Sequence, residues 1–108
     1  MKRAGVSPTQ RSLAALREQG WHCEVVEKWN PHARIRQDLF GFADLLALRG
    51  AEIMLVQVTS GSNVAARVRK ITEHENLPMV REAGISVRVH GWRRDAKGVI
   101  HFREVDLS

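Results

Sequence analysis

The chain contains a single cysteine, Cys23, and no apolar run near the length that crosses a bilayer. One thiol excludes an intramolecular disulfide, and its place in a predicted strand indicates a buried, inert side chain. A membrane span needs about 20 consecutive apolar residues, and residues 1–20 lack the continuous apolar stretch of a signal peptide. We therefore expect a cytoplasmic protein that does not engage a membrane.

The sequence also lacks internal repeats, low-complexity tracts and linkers. His32 lies in a basic stretch with no second His or Cys at metal-ligand spacing, so a zinc site is not expected. With 108 residues, of which 44% are hydrophobic, the chain can bury one core and is not globally disordered. We predict a single domain over residues 1–108, with no organic cofactor.

Positive charge is in excess, with 17 Lys and Arg against 12 Asp and Glu, a net charge of +5 and a pI near 10.3. A small basic domain is a candidate for a polyanionic partner, although ordinary solubility charge gives the same balance. Most of the cations are arginine, whose planar fork suits bidentate phosphate contacts. The composition therefore favours a nucleic-acid partner without establishing one.

The first half of the chain predicts a helix, a strand and a long polar connection. Ser7 and Pro8 are typical of a helix start, and Gly20 is typical of its left-handed end. Residues 22–29 read as a strand that Asn30-Pro31 ends. Residues 31–41 are polar and basic, and a connection of this length in a small domain is often functional.

The remaining elements complete an α-β-β-β-α-α-β-β order. Two nearly continuous apolar strands come next, and both faces of such strands are expected to be covered, which places them at the centre of the sheet. An apolar stripe at helical spacing and an alternating pattern then predict two helices and a hairpin. The predicted ranges are strands at 42–48 and 53–59, helices at 63–75 and 76–83, and strands at 85–90 and 99–105. The fold class is α/β, a central mixed sheet flanked by helices.

An aspartate inside the first apolar strand is the most informative feature of the sequence. Asp44 lies among core-forming residues, where an ionised carboxylate costs free energy unless something compensates it. A metal ion is one compensator, and Gln57 on the next apolar strand offers a second oxygen. The pattern predicts a divalent-metal site between neighbouring central strands.

This element order, with Asp44 on one central strand and Gln57-Val58-Thr59 ending the next, resembles the PD-(D/E)XK nuclease superfamily, which has a restriction-endonuclease-like fold. The resemblance covers roughly residues 8–92. It extends to small Holliday-junction-resolvase-like and VRR-NUC-like domains of phages and prophages. It implies that Asp44 and Gln57 bind the metal, that Thr59 occupies the position of the catalytic lysine, and that Glu18 on the first helix completes the site.

The chain departs from the family pattern at two important positions. Gln57 replaces an acidic residue, which weakens the binding of Mg²⁺ without preventing it, because a carbonyl oxygen remains. Thr59 replaces a lysine, and a hydroxyl cannot place positive charge against a phosphate. Losing such a group typically costs on the order of 10²–10⁴ in rate. Replacement cations are available at Lys28, Arg67 and Lys70.

Each site residue also has an ordinary structural interpretation. Asp44 can be a structural carboxylate that accepts backbone N–H groups, Gln57 a buried amide, Thr59 a plain strand residue, and Glu18 a solvated helix residue paired with Arg11. The three tryptophans are most simply packing residues.

Two features of the loops and helices remain open as well. Asp38 can bind metal or pair with Arg34 or Arg36, and we favour pairing. A second set of cations flanks the proposed site and is either a solvated face or a set of phosphate contacts: Arg34, Arg36, Arg67, Arg69 and Lys70.

The leading hypothesis is therefore a metal-dependent DNA endonuclease that uses Mg²⁺ or Mn²⁺, with branched DNA as a candidate substrate. We expect a homodimer, because so small a domain offers little surface for a specific nucleic-acid interface. The alternatives are a catalytically inactive nuclease fold that binds DNA, and a phage-encoded protein-interaction module. Fold resemblance alone does not choose among them.

Overall fold

The computed structural model describes residues 6–108, in which a five-stranded mixed sheet is flanked by helices on both faces. The predicted domain of residues 1–108 thus includes residues 1–5, which lie outside the described part. The helices are α1 (Pro8–Glu18), α2 (Val64–Thr72) and α3 (Leu77–Glu82), with a 3₁₀ turn (Gly61–Asn63) before α2. The strands are β1 (His22–Val25), β2 (Lys28–Asn30), β3 (Ile35–Gln37), β4 (Leu45–Arg49), β5 (Glu52–Ser60), β6 (Ser86–Arg94) and β7 (Ile100–Asp106).

Helix α1 begins and ends where its capping residues predict. The Ser7 hydroxyl accepts a hydrogen bond from Gln10 N at 3.1 Å, and the Gln10 side chain accepts one from Ser7 N. This reciprocal pair satisfies two of the N–H groups that a helix start leaves without partners. Past the C-terminal end, Gly20 has a φ of +88°, a conformation that residues with a Cβ adopt rarely.

The large sheet has the strand order β1-β4-β5-β6-β7. Strands β1, β4 and β5 pair antiparallel, β5 pairs parallel with β6, and β6 forms an antiparallel hairpin with β7. The parallel pair needs a crossover connection, and α2 and α3 supply it. The α/β class with a mixed central sheet is therefore confirmed, and β5 lies at the middle of the sheet.

Both faces of β5 are covered, as its continuous apolar run predicts. Met54 and Val56 point to the α1 face, where they pack with Leu16. Leu55 points to the opposite face and packs with residues of α2 and α3. Because side chains alternate along a strand, Gln57 and Thr59 share the face of Leu55.

The predicted strand at 22–29 and the predicted connection at 31–41 need correction. The strand divides into β1 and β2, and β2 pairs with β3 in a separate two-stranded hairpin. The Asn30 side chain accepts hydrogen bonds from His32 N and Ala33 N, which closes the turn. Each strand of the hairpin has only three residues, with one exposed apolar residue in each (Trp29 and Ile35), so the repeated apolar alternation by which a strand is recognised in sequence is absent.

Other boundaries differ by a few residues from the predicted ones. The predicted helix at 63–75 is a 3₁₀ turn followed by α2, and the predicted strand at 85–90 continues as β6 to Arg94. At Gly91 the backbone of β6 lies against Val64, where a Cβ would collide with the valine methyl group. This close approach sets the start of α2 directly on the sheet.

A buried polar network lies on the α1 face. His90 Nδ1 is 2.8 Å from Ser12 Oγ, and His90 Nε2 is 2.8 Å from Glu104 Oε2. Trp92 Nε1 donates to the same Ser12 oxygen at 2.8 Å. Burial lowers the pKa of the His90 imidazole, and Glu104 partly offsets this effect. The network holds α1 against β6 and β7.

The single thiol behaves as the sequence predicts. Cys23 is buried in the core under α1, and burial raises the pKa of its thiol.

The three tryptophans differ from one another: Trp21 is buried, Trp92 packs on Phe102, and Trp29 is 58% exposed on the β2–β3 hairpin. Each helix in residues 6–108 is too short or too polar to traverse a bilayer.

Candidate metal centre

Asp44 lies in the turn that leads into β4, with its backbone joined to both neighbouring strands. Its N–H donates to Val56 O, and its carbonyl accepts from Val26 N, both at 2.8 Å. The predicted strand at 42–48 thus begins three residues later, at Leu45, but Asp44 keeps the pairing of an inner-strand residue. Its side chain is buried, at 5% exposed.

The Asp44 carboxylate has two short hydrogen bonds on a single oxygen. Asp44 Oδ2 accepts from Gln57 Nε2 at 2.6 Å and from Val58 N at 2.7 Å. The other end of the amide, Gln57 Oε1, is buried and has no hydrogen-bond partner among the described residues. An unpaired buried carbonyl oxygen is unfavourable, so the site holds an acceptor that a donor or cation would stabilise.

Two further carboxylates approach Asp44 from outside the large sheet. Oxygens of Glu27, Asp38 and Asp44 lie within 4.8 Å of one another, and we call these three residues the acidic triad. Glu27 precedes β2 and Asp38 follows β3, so the hairpin brings them to the same place. Among the described residues, this is the one cluster of its kind formed by His, Cys, Asp and Glu.

The surroundings of the acidic triad disfavour the ionised form of Asp44. Burial raises the pKa of the Asp44 carboxyl to about 7, and the charges of Asp38 and Glu27 act in the same direction, while the Val58 hydrogen bond opposes them. One cation offsets part of this charge, because Arg36 lies 3.2 Å from a Glu27 oxygen. Near neutral pH, three clustered carboxylates therefore favour either a bound proton or a bound cation.

The structure does not contain the ion pair that we expected between Asp38 and Arg34 or Arg36. Arg36 pairs with Glu27 instead, and Asp38 lies beside Asp44. The reason is the register of the hairpin, in which Lys28 stands opposite Gln37. This register places the residues before Lys28 and after Gln37 next to each other.

A cleft of about 590 Å³ opens beside the acidic triad, and Asp38 forms part of its wall. Three cations line it, namely Lys28, Arg36 and Lys70. Lys28 follows Glu27 in sequence, and Lys70 comes from the C-terminal half of α2. The cleft wall thus carries one carboxylate of the acidic triad and three cationic side chains.

The remaining predicted site residues occupy different places. Thr59 is buried on β5, on the same face as Gln57 and two residues closer to the strand end. Glu18 ends α1 and lines a separate groove with Arg11 and Trp92. It is not part of the acidic triad, where Glu27 supplies the third carboxylate among the described residues.

The predicted phosphate contacts divide into two groups. Arg36 and Lys70 line the cleft, whereas Arg34 lies exposed at the hairpin turn. Arg67 is half-buried and Arg69 exposed on α2, and neither lines the cleft. Sequence reasoning missed Glu27 as a triad member, and for Asp38 it favoured an ion pair over the alternative of metal binding.

Comparisons with known proteins identify no relative: no protein-family model matches the chain, and no curated protein matches it. The resemblance to PD-(D/E)XK nucleases stays a prediction that rests on element order and on Asp44 and Gln57.

The donor set of the site fits a hard divalent cation. The acidic triad supplies carboxylate oxygens, and the unpaired Gln57 oxygen is a neutral donor of the same kind. Oxygen ligands without His or Cys suit Mg²⁺, Mn²⁺ or Ca²⁺ better than Zn²⁺. Rotation of the Gln57 amide exchanges its nitrogen and oxygen at the same positions, so the oxygen can face Asp44 when a cation replaces the hydrogen bond.

Proposed function

We propose that the chain is a DNA endonuclease that binds Mg²⁺ or Mn²⁺ at the acidic triad and hydrolyses phosphodiester bonds in the adjoining cleft. The observation that carries the proposal is the buried carboxylate of Asp44 beside two further carboxylates and an unpaired amide oxygen. Such a group of oxygens is unfavourable without a cation and suitable with one.

The residues of the acidic triad would act as ligands, with Gln57 as a neutral fourth donor. A divalent cation supplies an activated water and stabilises the charge that develops on a phosphate. Asp44 is held by backbone bonds to two strands, which fixes one ligand, while Glu27 and Asp38 come from the hairpin. A rigid ligand and two ligands from one short hairpin give a defined position for the cation.

The cationic side chains of the cleft would supply the positive charge that the resembled family places at the position of Thr59. Lys28 is the best candidate, because it lies next to Glu27 in sequence and opposite Gln37, the residue before Asp38. Its ammonium group can stabilise negative charge on a phosphate or orient an attacking water. Lys70 also lines the cleft and would hold the strand.

DNA is the proposed polyanion because the cleft is open and basic. The net charge is +5, and three further cations outside the cleft are available for phosphate contacts: Arg34, Arg67 and Arg69. A homodimer would bring two clefts to one DNA molecule, which is the arrangement that branched DNA suits. Both the dimer and the branched substrate belong to the proposal.

A second candidate is a nuclease fold that binds DNA without cutting it. The observation that favours it is Thr59, a buried hydroxyl at the position where the resembled family has its lysine. This candidate predicts DNA binding that depends on salt and is indifferent to metal.

The deciding experiment has two readouts. Calorimetry measures binding of Mn²⁺ to the wild-type protein, to Asp44→Asn and to Glu82→Gln, which removes an exposed acid of α3 as a matched control. Labelled single-stranded, duplex and four-way-junction DNA are then incubated with the same proteins, with Mn²⁺ or with chelator.

Metal binding and cleavage that Asp44→Asn abolishes and Glu82→Gln retains would support the endonuclease. Gel shifts that persist in chelator, without cleavage by any protein, would favour the inactive binder. If no protein binds metal or DNA, the nucleic-acid proposal is wrong.

A further inference from the structure

Phe40 is an exposed aromatic residue on the wall of the cleft. Its side chain is 39% exposed and lines the same cleft as Asp38 and Lys70. Its φ is +55°, in the left-handed region that bulky residues adopt rarely. An aromatic ring is thus held toward solvent in an unfavourable backbone conformation, beside the proposed metal site.

The turn that holds Phe40 is rigid. Leu39 and Ala43 close it through an isolated β-bridge, and Gly41 N donates to Asp38 O at 3.1 Å. The Asn76 side chain donates to Phe40 O at 3.0 Å, which anchors the residue itself to the start of α3. The orientation of the Phe40 backbone is therefore fixed by contacts on both sides.

The neighbouring aromatic residue, Phe42, shows what core packing requires of this turn. Phe42 is fully buried and packs edge-on against His74, with ring centroids 5.5 Å apart. At Gly41 a Cβ would collide with the same His74 ring, so the glycine lets the turn close over it. The core needs Phe42 and Gly41, but it does not explain an aromatic side chain at Phe40.

Strained residues of this kind persist where the surrounding structure holds them in place, and they concentrate at active sites and ligand-binding sites. An exposed ring flanked by cations is the arrangement on which single-stranded nucleic acids stack, with the backbone held by positive charge. At Phe40 the cations are Lys28, Arg36 and Lys70. The cleft combines a surface for a base with charges for its phosphates.

We propose that Phe40 is a stacking platform for a nucleobase next to the phosphate that the cations of the cleft would hold beside the acidic triad, so that the cleft takes an unpaired nucleotide. This inference rests on the proposed function. A base inside a duplex is covered on both faces by its neighbours, so stacking on Phe40 requires a nucleotide that is single-stranded, flapped or splayed at a junction. Stacking selects DNA structure rather than base identity, since every base has a π-face.

Three variants test the platform. Phe40→Leu removes the ring and keeps an apolar side chain, while Phe40→Trp keeps a ring as the matched control. Phe40→Asn removes the ring and relieves the strain, because asparagine tolerates positive φ. Thermal unfolding of each variant measures its stability, and Phe40→Asn is expected to be at least as stable as the wild type. That result would exclude loss of fold as the cause of weaker DNA binding.

The probes are two oligonucleotides that carry 2-aminopurine, one in an unpaired flap and one inside a matched duplex. With Mn²⁺, the wild type and Phe40→Trp are expected to quench the flap probe and to cleave near it. Phe40→Leu and Phe40→Asn are expected to lose the quench and to bind the flap on the order of 10-fold more weakly. Binding of the duplex probe is expected to be weak and unchanged by every variant.

Equal metal-dependent cleavage of both probes by the wild type, Phe40→Leu and Phe40→Asn would contradict the stacking role of Phe40. The same result would leave the proposed endonuclease activity supported. If the wild type shows neither metal binding nor an interaction with either probe, the proposed function is wrong and the platform is wrong with it.

Discussion

Asp44 and Gln57 lie thirteen positions apart in sequence, and their buried side chains, one just before β4 and one on β5, are joined by a 2.6 Å hydrogen bond. The bond uses the amide nitrogen, which leaves the amide oxygen without a partner. A cation bound by Asp44 would need the amide oxygen in place of the amide nitrogen, so the Gln57 amide would turn over on metal binding while Asp44 stays an oxygen donor.

Replacing Gln57 by glutamate would test this relation. Gln57→Glu adds a fourth carboxylate, so we expect Mn²⁺ to bind on the order of 10-fold more tightly. Without metal the variant is expected to be less stable, because it loses the bond to Asp44 and adds buried negative charge, at about 1–3 kcal/mol. Calorimetry and thermal unfolding with and without Mn²⁺ measure both effects, and Gln57→Met is the uncharged control. Equal Mn²⁺ affinity in Gln57→Glu and the wild type would place the cation away from Gln57.

Metal binding should depend on pH through Asp44. Its pKa is raised to about 7, and a proton must leave before the carboxylate can bind metal. We expect the affinity for Mn²⁺ to rise roughly 10-fold between pH 6 and pH 8, as the ionised fraction rises. The pH dependence of affinity in the wild type would be compared with that of Asp38→Asn, which removes one neighbouring charge and should shift the rise to lower pH. A flat profile across this range would contradict the assignment of Asp44 as a ligand.

The same carboxyl should reduce the stability of the metal-free protein at high pH. The pKa of Asp44 is raised above its unfolded value of 3.8, so the native state holds a proton that the unfolded state has lost. The contribution of this proton is present at low pH and is lost as pH rises through about 7. In chelator, we expect Asp44→Asn to be more stable than the wild type at pH 8, with a smaller difference at pH 5. Chemical unfolding at both pH values measures this, and a wild type that is the more stable protein at pH 8 would contradict it.

Lys28 should be required for cleavage and not for metal binding. Lys28→Met is expected to lower the rate on the order of 10²–10⁴-fold, the usual effect of losing a positioned charge or proton-transfer group. Single-turnover cleavage assays measure the rate, and calorimetry confirms that Mn²⁺ still binds. Lys97→Met removes an exposed lysine from the turn between β6 and β7 and serves as the control. If Lys28→Met cuts at the wild-type rate and Lys70→Met does not, the role belongs to Lys70.

The network around His90 predicts a loss of stability in acid. Burial lowers the pKa of His90 below its ordinary value of 6.5, so the unfolded state takes up a proton before the native state does. Its stabilising contribution is therefore complete above pH 6.5 and declines as pH falls through the lowered folded pKa. Ser12→Ala leaves His90 and Trp92 without their shared partner and is expected to cost about 1–3 kcal/mol.

Urea unfolding between pH 5 and pH 8 measures both the loss of stability in acid and the cost of Ser12→Ala. Ser62→Ala in the exposed 3₁₀ turn is the control. The prediction about the network is wrong if Ser12→Ala and Ser62→Ala unfold at the same urea concentration.

The sequence by itself determined the elements whose signals are local. The capping box of Ser7 and Gln10 determined where α1 begins, and continuous apolar runs determined that β4 and β5 lie inside the sheet. The tight turn at Gly50 also makes the approach of Asp44 and Gln57 predictable, because a short hairpin connection fixes the register of the two antiparallel strands that it joins. These features depend on the conformational propensity and hydrophobicity of individual residues, and both can be read from residue type.

Only the tertiary structure decided which carboxylates surround Asp44. Glu27 and Asp38 reach it through a short, exposed hairpin that lacks repeated apolar alternation, so neither its second strand nor its register could be read from the sequence. Glu18, the acid suggested by family resemblance, lies in a different groove. The physical reason is that a hairpin of exposed residues is held by its turn and by pairing of backbone groups, and such pairing leaves little trace in residue type.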